Sequence, residues 1–171
     1  LVVLPCRAPL SAQGQEEAAG PPDIVVVLAD DQTWSDSGCY GNKQVKTPNI
    51  DRLSRQGMIM RSYYTCQNCA PTRAALMSGQ YAPRTGVYTV GSFKRGQDKN
   101  RLMVPPQNKT RLPLDRQTVA NVLQQAGYVT GMFGKWHLGN EPEYHPGERG
   151  FDEAIVSNGR HFNFVTRPEV P

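Results

Sequence analysis

Little in this chain points toward a membrane or a nucleic acid. No stretch approaches the roughly 18 consecutive apolar residues of a membrane helix, so no integral membrane span is expected. Charged residues make up only 20%, and the net charge of +4 is scattered rather than gathered into a basic stripe, so nucleic-acid binding is not expected either. Four cysteines (Cys6, Cys39, Cys66, Cys69) in 171 residues do not make a disulfide scaffold. Cys66-Gln67-Asn68-Cys69 spells C-x-x-C, the spacing of thiol redox sites and of half a zinc site, but no second pair completes a zinc site. Histidine is scarcer still: His137, His145 and His161 are all there is. No internal repeat appears.

What is present describes a globular α/β chain. Its length suffices for one domain with a sizeable core, and 38% hydrophobic residues fit that class. The first residue is Leu rather than Met, and Leu1-Val2-Val3-Leu4-Pro5-Cys6 reads as the end of an apolar run, with Leu10-Ser11-Ala12-Gln13 as a cleavage region. Residues 1–21 are therefore expected to be the tail of an export signal and a flexible lead-in, and residues 22–171 the folded part.

Asp23-Ile24-Val25-Val26-Val27-Leu28-Ala29 is a continuous, mostly β-branched run that suits a strand buried on both faces of a parallel sheet. It runs into Asp30-Asp31, two like charges side by side that repel unless a cation offsets them. Thr47-Pro48 reads as a capping threonine followed by proline in the first helical turn, and the helix should run to Gln56, stop at Gly57 and bury Ile50 and Leu53. Met58 to Tyr63 reads as a second strand. Ala74-Ala75-Leu76-Met77 favours helix, which places Cys69 at or just before a helix N-terminus, where N–H groups and the helix dipole suit an oxyanion. Gly86 to Leu112 reads as a surface excursion that includes a glycosylation sequon, Asn108-Lys109-Thr110. A helix from Thr118 to Ala126, with Val119, Val122 and Leu123 inward, precedes a strand from Tyr128 to Phe133 and the loop Gly134-Lys135-Trp136-His137-Leu138-Gly139.

Three polar clusters thus follow three predicted strands: Asp30-Asp31, Cys69 to Arg73, and Lys135 to His137. In a parallel α/β sheet such loops can converge on one edge. Two carboxylates, a thiol, an arginine, a lysine and a histidine together match the needs of anionic ester cleavage: cations neutralise the oxyanion and a positioned acid serves the leaving group.

Cys69-Ala70-Pro71-Thr72-Arg73, continued by Ala74-Ala75-Leu76-Met77-Ser78-Gly79, resembles the activation motif of the type I sulfatases, members of the alkaline-phosphatase-like superfamily. Gly127 to Gly139 resembles their second motif, Pro22 to Asp31 their first strand and metal loop, and Thr47 to Leu53 their first helix. The matches run in the family's order from about residue 22 to about residue 152. The resemblance implies an alkaline-phosphatase-like α/β fold, a mostly parallel sheet flanked by helices and incomplete here, with residues 22–171 as the N-terminal part of the catalytic domain. It implies sulfate ester hydrolysis to alcohol and inorganic sulfate. Cys69 would be oxidised to formylglycine by a formylglycine-generating enzyme; one hydroxyl of the aldehyde hydrate would attack sulfur, and the other would let the sulfated intermediate eliminate. Asp30, Asp31 and the converted Cys69 would hold calcium, or alternatively magnesium. Arg73 would steady the hydrate and the metal loop, Lys135 would bind sulfate, and His137 would accept a proton during elimination. Sulfated carbohydrates or aryl sulfates are the implied substrates, and the periplasm, the cell exterior or a lysosome the implied place.

Nothing after Asp152 resembles the family's later metal ligands and its further histidine and lysine. The chain is therefore expected to be a fragment that binds metal weakly and is inactive alone. Rival readings are a phosphonate or phosphodiester hydrolase of the same superfamily, a non-catalytic binding module, and a thiol-redox protein using Cys66 and Cys69. Trp136 reads as a packing residue, His145 and His161 as surface histidines, and Ser157 and Asn158 as lying near a substrate-contacting position of some relatives.

Overall fold

Backbone runs rich in β-branched residues form strands only where a partner supplies the ladder, and both halves of the chain illustrate this. The computed structural model describes residues 2–6, 20–92, 98–100, 102–157 and 162–166. The chain divides into two compact units, Leu1–Met60 and Arg61–Pro171.

In the first unit, strand β1 (Val2–Cys6) pairs antiparallel with β2 (Asp23–Val27), Val3 opposite Val26. The sequence reading placed β2 between two covering layers, yet all five of its residues are exposed, Val27 at 60%. The run made a strand, as its composition dictates. Burial depends on layers from elsewhere, and a two-stranded ribbon supplies none. Helix α1 (Pro48–Gln56) keeps its expected limits, closing with the Gly57 N–H donating to Leu53 O. Thr47 does not cap it through its side chain. Its hydroxyl instead accepts from the Gly38 N–H (2.8 Å) and donates to Asp51 Oδ1 (2.9 Å). A Cβ at position 38 would stand 2.5 Å from an Asp51 carboxylate oxygen, so a larger residue than Gly38 would displace that carboxylate. Leu53 is half-buried and Ile50 is exposed. Met58 to Tyr63 forms no strand: Met58, Met60 and Tyr63 are exposed, and the segment has no ladder partner among the described residues.

The second unit packs helices α2 (Cys69–Ser78), α3 (Ala82–Thr85) and α4 (Val119–Gln125) with a sheet of β3 (Gly131–Lys135), β4 (Glu153–Ser157) and β5 (Phe162–Thr166). β3 and β4 are parallel, with Lys135 opposite Ser157, and β5 runs antiparallel to β4. Trp136, Leu112, Leu138, Val87 and Val156 are its largest fully buried apolar side chains, and α2 meets them with Ala70 and Ala74. Small residues on that face let the helix backbone approach closely. Helix α4 turns Ala120 to the core, whereas Val119 and Val122, expected inward, are exposed. Its rotation is set at its start: Thr118 shares a capping box with Asn121 and donates its hydroxyl to Arg149 O at 2.6 Å. Of the excursion from Gly86 to Leu112, Leu102, Met103 and Val104 are exposed as expected, but both ends are anchored by buried Val87 and Leu112.

Candidate active site

Cys69 is the first residue of α2, a half-buried free thiol following Asn68 in extended conformation. Pro71 removes one of the N–H groups a helix start would otherwise present. Asparagine is among the best N-caps, but Asn68 makes no cap bond with its side chain. Its Nδ2 donates to Thr89 Oγ1 at 3.0 Å, and its buried Oδ1 has no partner among the described residues. The Cys69 and Ala70 N–H groups are therefore left uncapped by Asn68. The Thr72 hydroxyl lies 2.8 Å from Asn68 O and 3.2 Å from Cys66 O, so the Cys66–Asn68 segment curls over the first turn. Burial pushes the Cys66 thiol up from its usual value, which disfavours the thiolate that redox exchange requires.

One turn along α2, Arg73 is 6% exposed and donates from Nη1 to Lys135 O at 2.5 Å. A buried guanidinium bonded to the last carbonyl of β3 ties the Cys69 helix to the Lys135–His137 loop. Two of the three expected clusters are thereby brought together. The loop is held further: the Trp136 N–H donates to Ser157 O (3.2 Å), and Trp136 Nε1 donates to Tyr144 O (2.9 Å) while its ring meets Phe151 edge-on. Trp136 is thus a packing residue, as its type suggests. His137 carries φ +63, and Asp31 φ +57; among the described residues they are the only non-glycines in the left-handed region. Such a backbone costs on the order of 1 kcal/mol or more and persists where the surroundings impose it.

Asp30 and Asp31 belong to the first unit, beyond the end of β2, and both are exposed. Their adjacent carboxylates are hard oxygen donors of the kind calcium and magnesium take, so the donor chemistry fits. They supply only two residues of a ligand shell, and no group of three or more His, Cys, Asp or Glu gathers among the described residues.

His145, expected at the surface, is half-buried and starts the 3-10 segment Pro146–Arg149, with Nδ1 accepting from the Gly147 N–H at 3.2 Å. Burial lowers its pKa, and Glu148 offsets part of that shift. His161 and Asn158 lie outside the described residues. Ser157 ends β4 beside Lys135.

Sequence reading missed the residues that hold the Cys69 loop from behind. Gln67 Nε2 donates to Tyr88 O (2.7 Å), and Asn108 clasps the same loop segment: its Oδ1 accepts from the Tyr88 and Thr89 N–H groups (2.8 and 3.1 Å), and its Nδ2 donates to Thr89 O and Gly91 O (3.0 and 2.5 Å). The available signal, an Asn in a sequon, pointed instead to a glycan.

The family model for sulfatases matches residues 22–171. The chain belongs to the sulfatase family. Human N-acetylgalactosamine-6-sulfatase is 36% identical over 162 residues, which are 92% of this chain and 30% of that protein. Human arylsulfatase A is 40% identical over 140 residues, 80% of this chain and 25% of the relative. The crystal structure of PsFucS1 sulfatase from Pseudoalteromonas sp. superimposes with a TM-score of 0.62 at 30% identity, covering 78% of this chain and 25% of that one. The α/β architecture is thus that of a sulfatase. The chain spans about 30% of the length of the first of these curated relatives.

Proposed function

We propose that this chain carries the nucleophile-bearing part of a sulfuric ester hydrolase that cleaves a sulfate ester on a carbohydrate or aryl group to the alcohol and inorganic sulfate. The bond from Arg73 to Lys135 O carries this reading, because it joins the Cys-x-Pro-x-Arg helix to the Gly-Lys-Trp-His loop. Oxidised to formylglycine by a modifying enzyme, residue 69 supplies a hydrated aldehyde as nucleophile. The N–H groups of Cys69 and Ala70, left open by Asn68, favour negative charge at that point. Arg73 fixes the position of the Lys135 backbone, and the Lys135 ammonium attracts and orients the sulfate. His137, held in its left-handed turn, takes the proton released from the residue-69 hydroxyl. Asp30, Asp31 and the converted residue 69 would hold a calcium or magnesium ion, which neutralises sulfate oxygen charge when bound.

The names of its relatives favour a sulfated sugar as substrate, since one acts on an N-acetylgalactosamine 6-sulfate by its name. Export to the periplasm, the cell exterior or a lysosome is part of this proposal. No helix among the described residues is long and apolar enough to cross a membrane.

Peptide mass spectrometry across Cys69, on protein from its native host, tests the reading. An aldehyde in place of the thiol is expected. A fully unmodified cysteine in protein that still releases sulfate would overturn the mechanism.

A further inference from the structure

Two residues outside every sulfatase-like motif bear on how Cys69 is presented. Asn68 has the residue type and position to cap α2, and because Pro71 at N3 has no N–H, the Ala70 N–H is the donor such a cap would take, with the Cys69 N–H beside it. It caps neither. Its amide is drawn off to the hydroxyl of Thr89, a buried residue with 7% exposure. Thr89 holds that place because Asn108 binds its N–H and its carbonyl at once, together with the Tyr88 N–H and Gly91 O. Both amide hydrogens of Asn108 are thereby engaged. Gln67 adds a parallel tie to Tyr88 O. Four bonds from one half-buried side chain, set among exposed neighbours at 106, 107, 109 and 110, are more than a surface loop needs.

We propose that Asn108 and Thr89 are positioning residues that hold Asn68 away from the N-terminus of α2 and so keep the helix donors beside Cys69 open to the reacting anion. The proposal rests on reading Cys69 as the nucleophile precursor. Its physical core is a competition between two orientations of one side chain: while Nδ2 donates to Thr89, Oδ1 makes no bond to the helix N–H groups, and it can turn to accept from them only when that tie is released. Removing the Thr89 hydroxyl releases Asn68 to cap its own helix, and the cap would then occupy a donor the anion requires.

The test is amide exchange at Ala70, read by NMR on the full chain in wild type, Thr89→Val, Asn108→Ala and the double variant Thr89→Val/Asn68→Ala. Val keeps the volume of the buried Thr. Thr89→Val is expected to slow exchange at Ala70 roughly fivefold, the size of a typical cap, and Asn108→Ala to shift it the same way by less. The double variant should return to the wild-type rate, since alanine cannot cap. The sign decides: simple loosening of the fold accelerates exchange, so faster or unchanged exchange in Thr89→Val, or slowing that survives Asn68→Ala, would overturn the proposal. Exchange does not depend on turnover. Absence of the aldehyde at residue 69 would therefore count against the sulfatase mechanism and not against this competition.

Discussion

His137 and Asp31 share a backbone state that β-carbon sterics disfavour, and each lies in a cluster picked out from the sequence for its chemistry. Their side-chain types were legible as candidates, but the left-handed turn was not, because φ is imposed by the neighbours on either side. For His137 those are a fully buried Trp136 and Leu138. Gly at 137 would relieve about 1 kcal/mol of strain and cost about as much in unfolded-chain entropy. His137→Gly is thus expected to leave stability to denaturant within about 0.5 kcal/mol of wild type while abolishing sulfate release by the enzyme. A stability loss above about 2 kcal/mol would instead mark the imidazole as a packing group.

Elements were read well where a local signal ends them and poorly where a partner makes them. α1 stops at Gly57 and α4 follows Thr118 through end signals written in a few adjacent residues, and the start of α2 at Cys69 followed from the helix propensity of Ala74 to Met77. The expected strand over Met58 to Tyr63 failed because a strand needs a neighbour. Cap side chains also proved free to serve elsewhere, Thr47 binding Gly38 and Asp51, and Asn68 binding Thr89. The short 3-10 segment Pro146–Arg149 offers a pH test. His145 accepts the Gly147 N–H at Nδ1, as only a ring unprotonated there can, and burial holds its pKa below the ordinary 6.5. The unfolded chain therefore takes up a proton more readily than the folded one. Its contribution is complete above pH 6.5 and falls as the pH drops from there toward the lowered folded value. Urea unfolding across this range should show a shallower loss below pH 6.5 in His145→Asn than in wild type; parallel curves would remove His145 as the source.

At the scale of the whole molecule, the residues singled out for chemistry are divided between the units: Asp30 and Asp31 lie in the first, and Cys69, Arg73, Lys135 and His137 in the second. Calcium takes six to eight oxygens, and the described residues gather no three acidic, thiol or imidazole ligands. Calorimetric titration of this chain should accordingly show calcium binding no tighter than about 10⁻⁴ M. Micromolar affinity would mean that the ligand set is completed within these residues. The exposure of Ile24, Val25, Val26 and Val27 belongs to the same scale, since a strand's composition fixes its conformation and only its neighbours fix its burial.

Sequence alone determined which chemistry this chain prepares for. Carboxylates, thiol, guanidinium, ammonium and imidazole are properties of residue type, and their order along the chain, with short-range caps and glycines, marked the family and the helix that begins at Cys69. Only tertiary structure decided what holds that helix: Arg73 reaching the Lys135 carbonyl 62 residues away, and Asn108 setting Thr89 against Asn68. Those bonds join atoms far apart in sequence, whose approach depends on the packed core and on no local pattern.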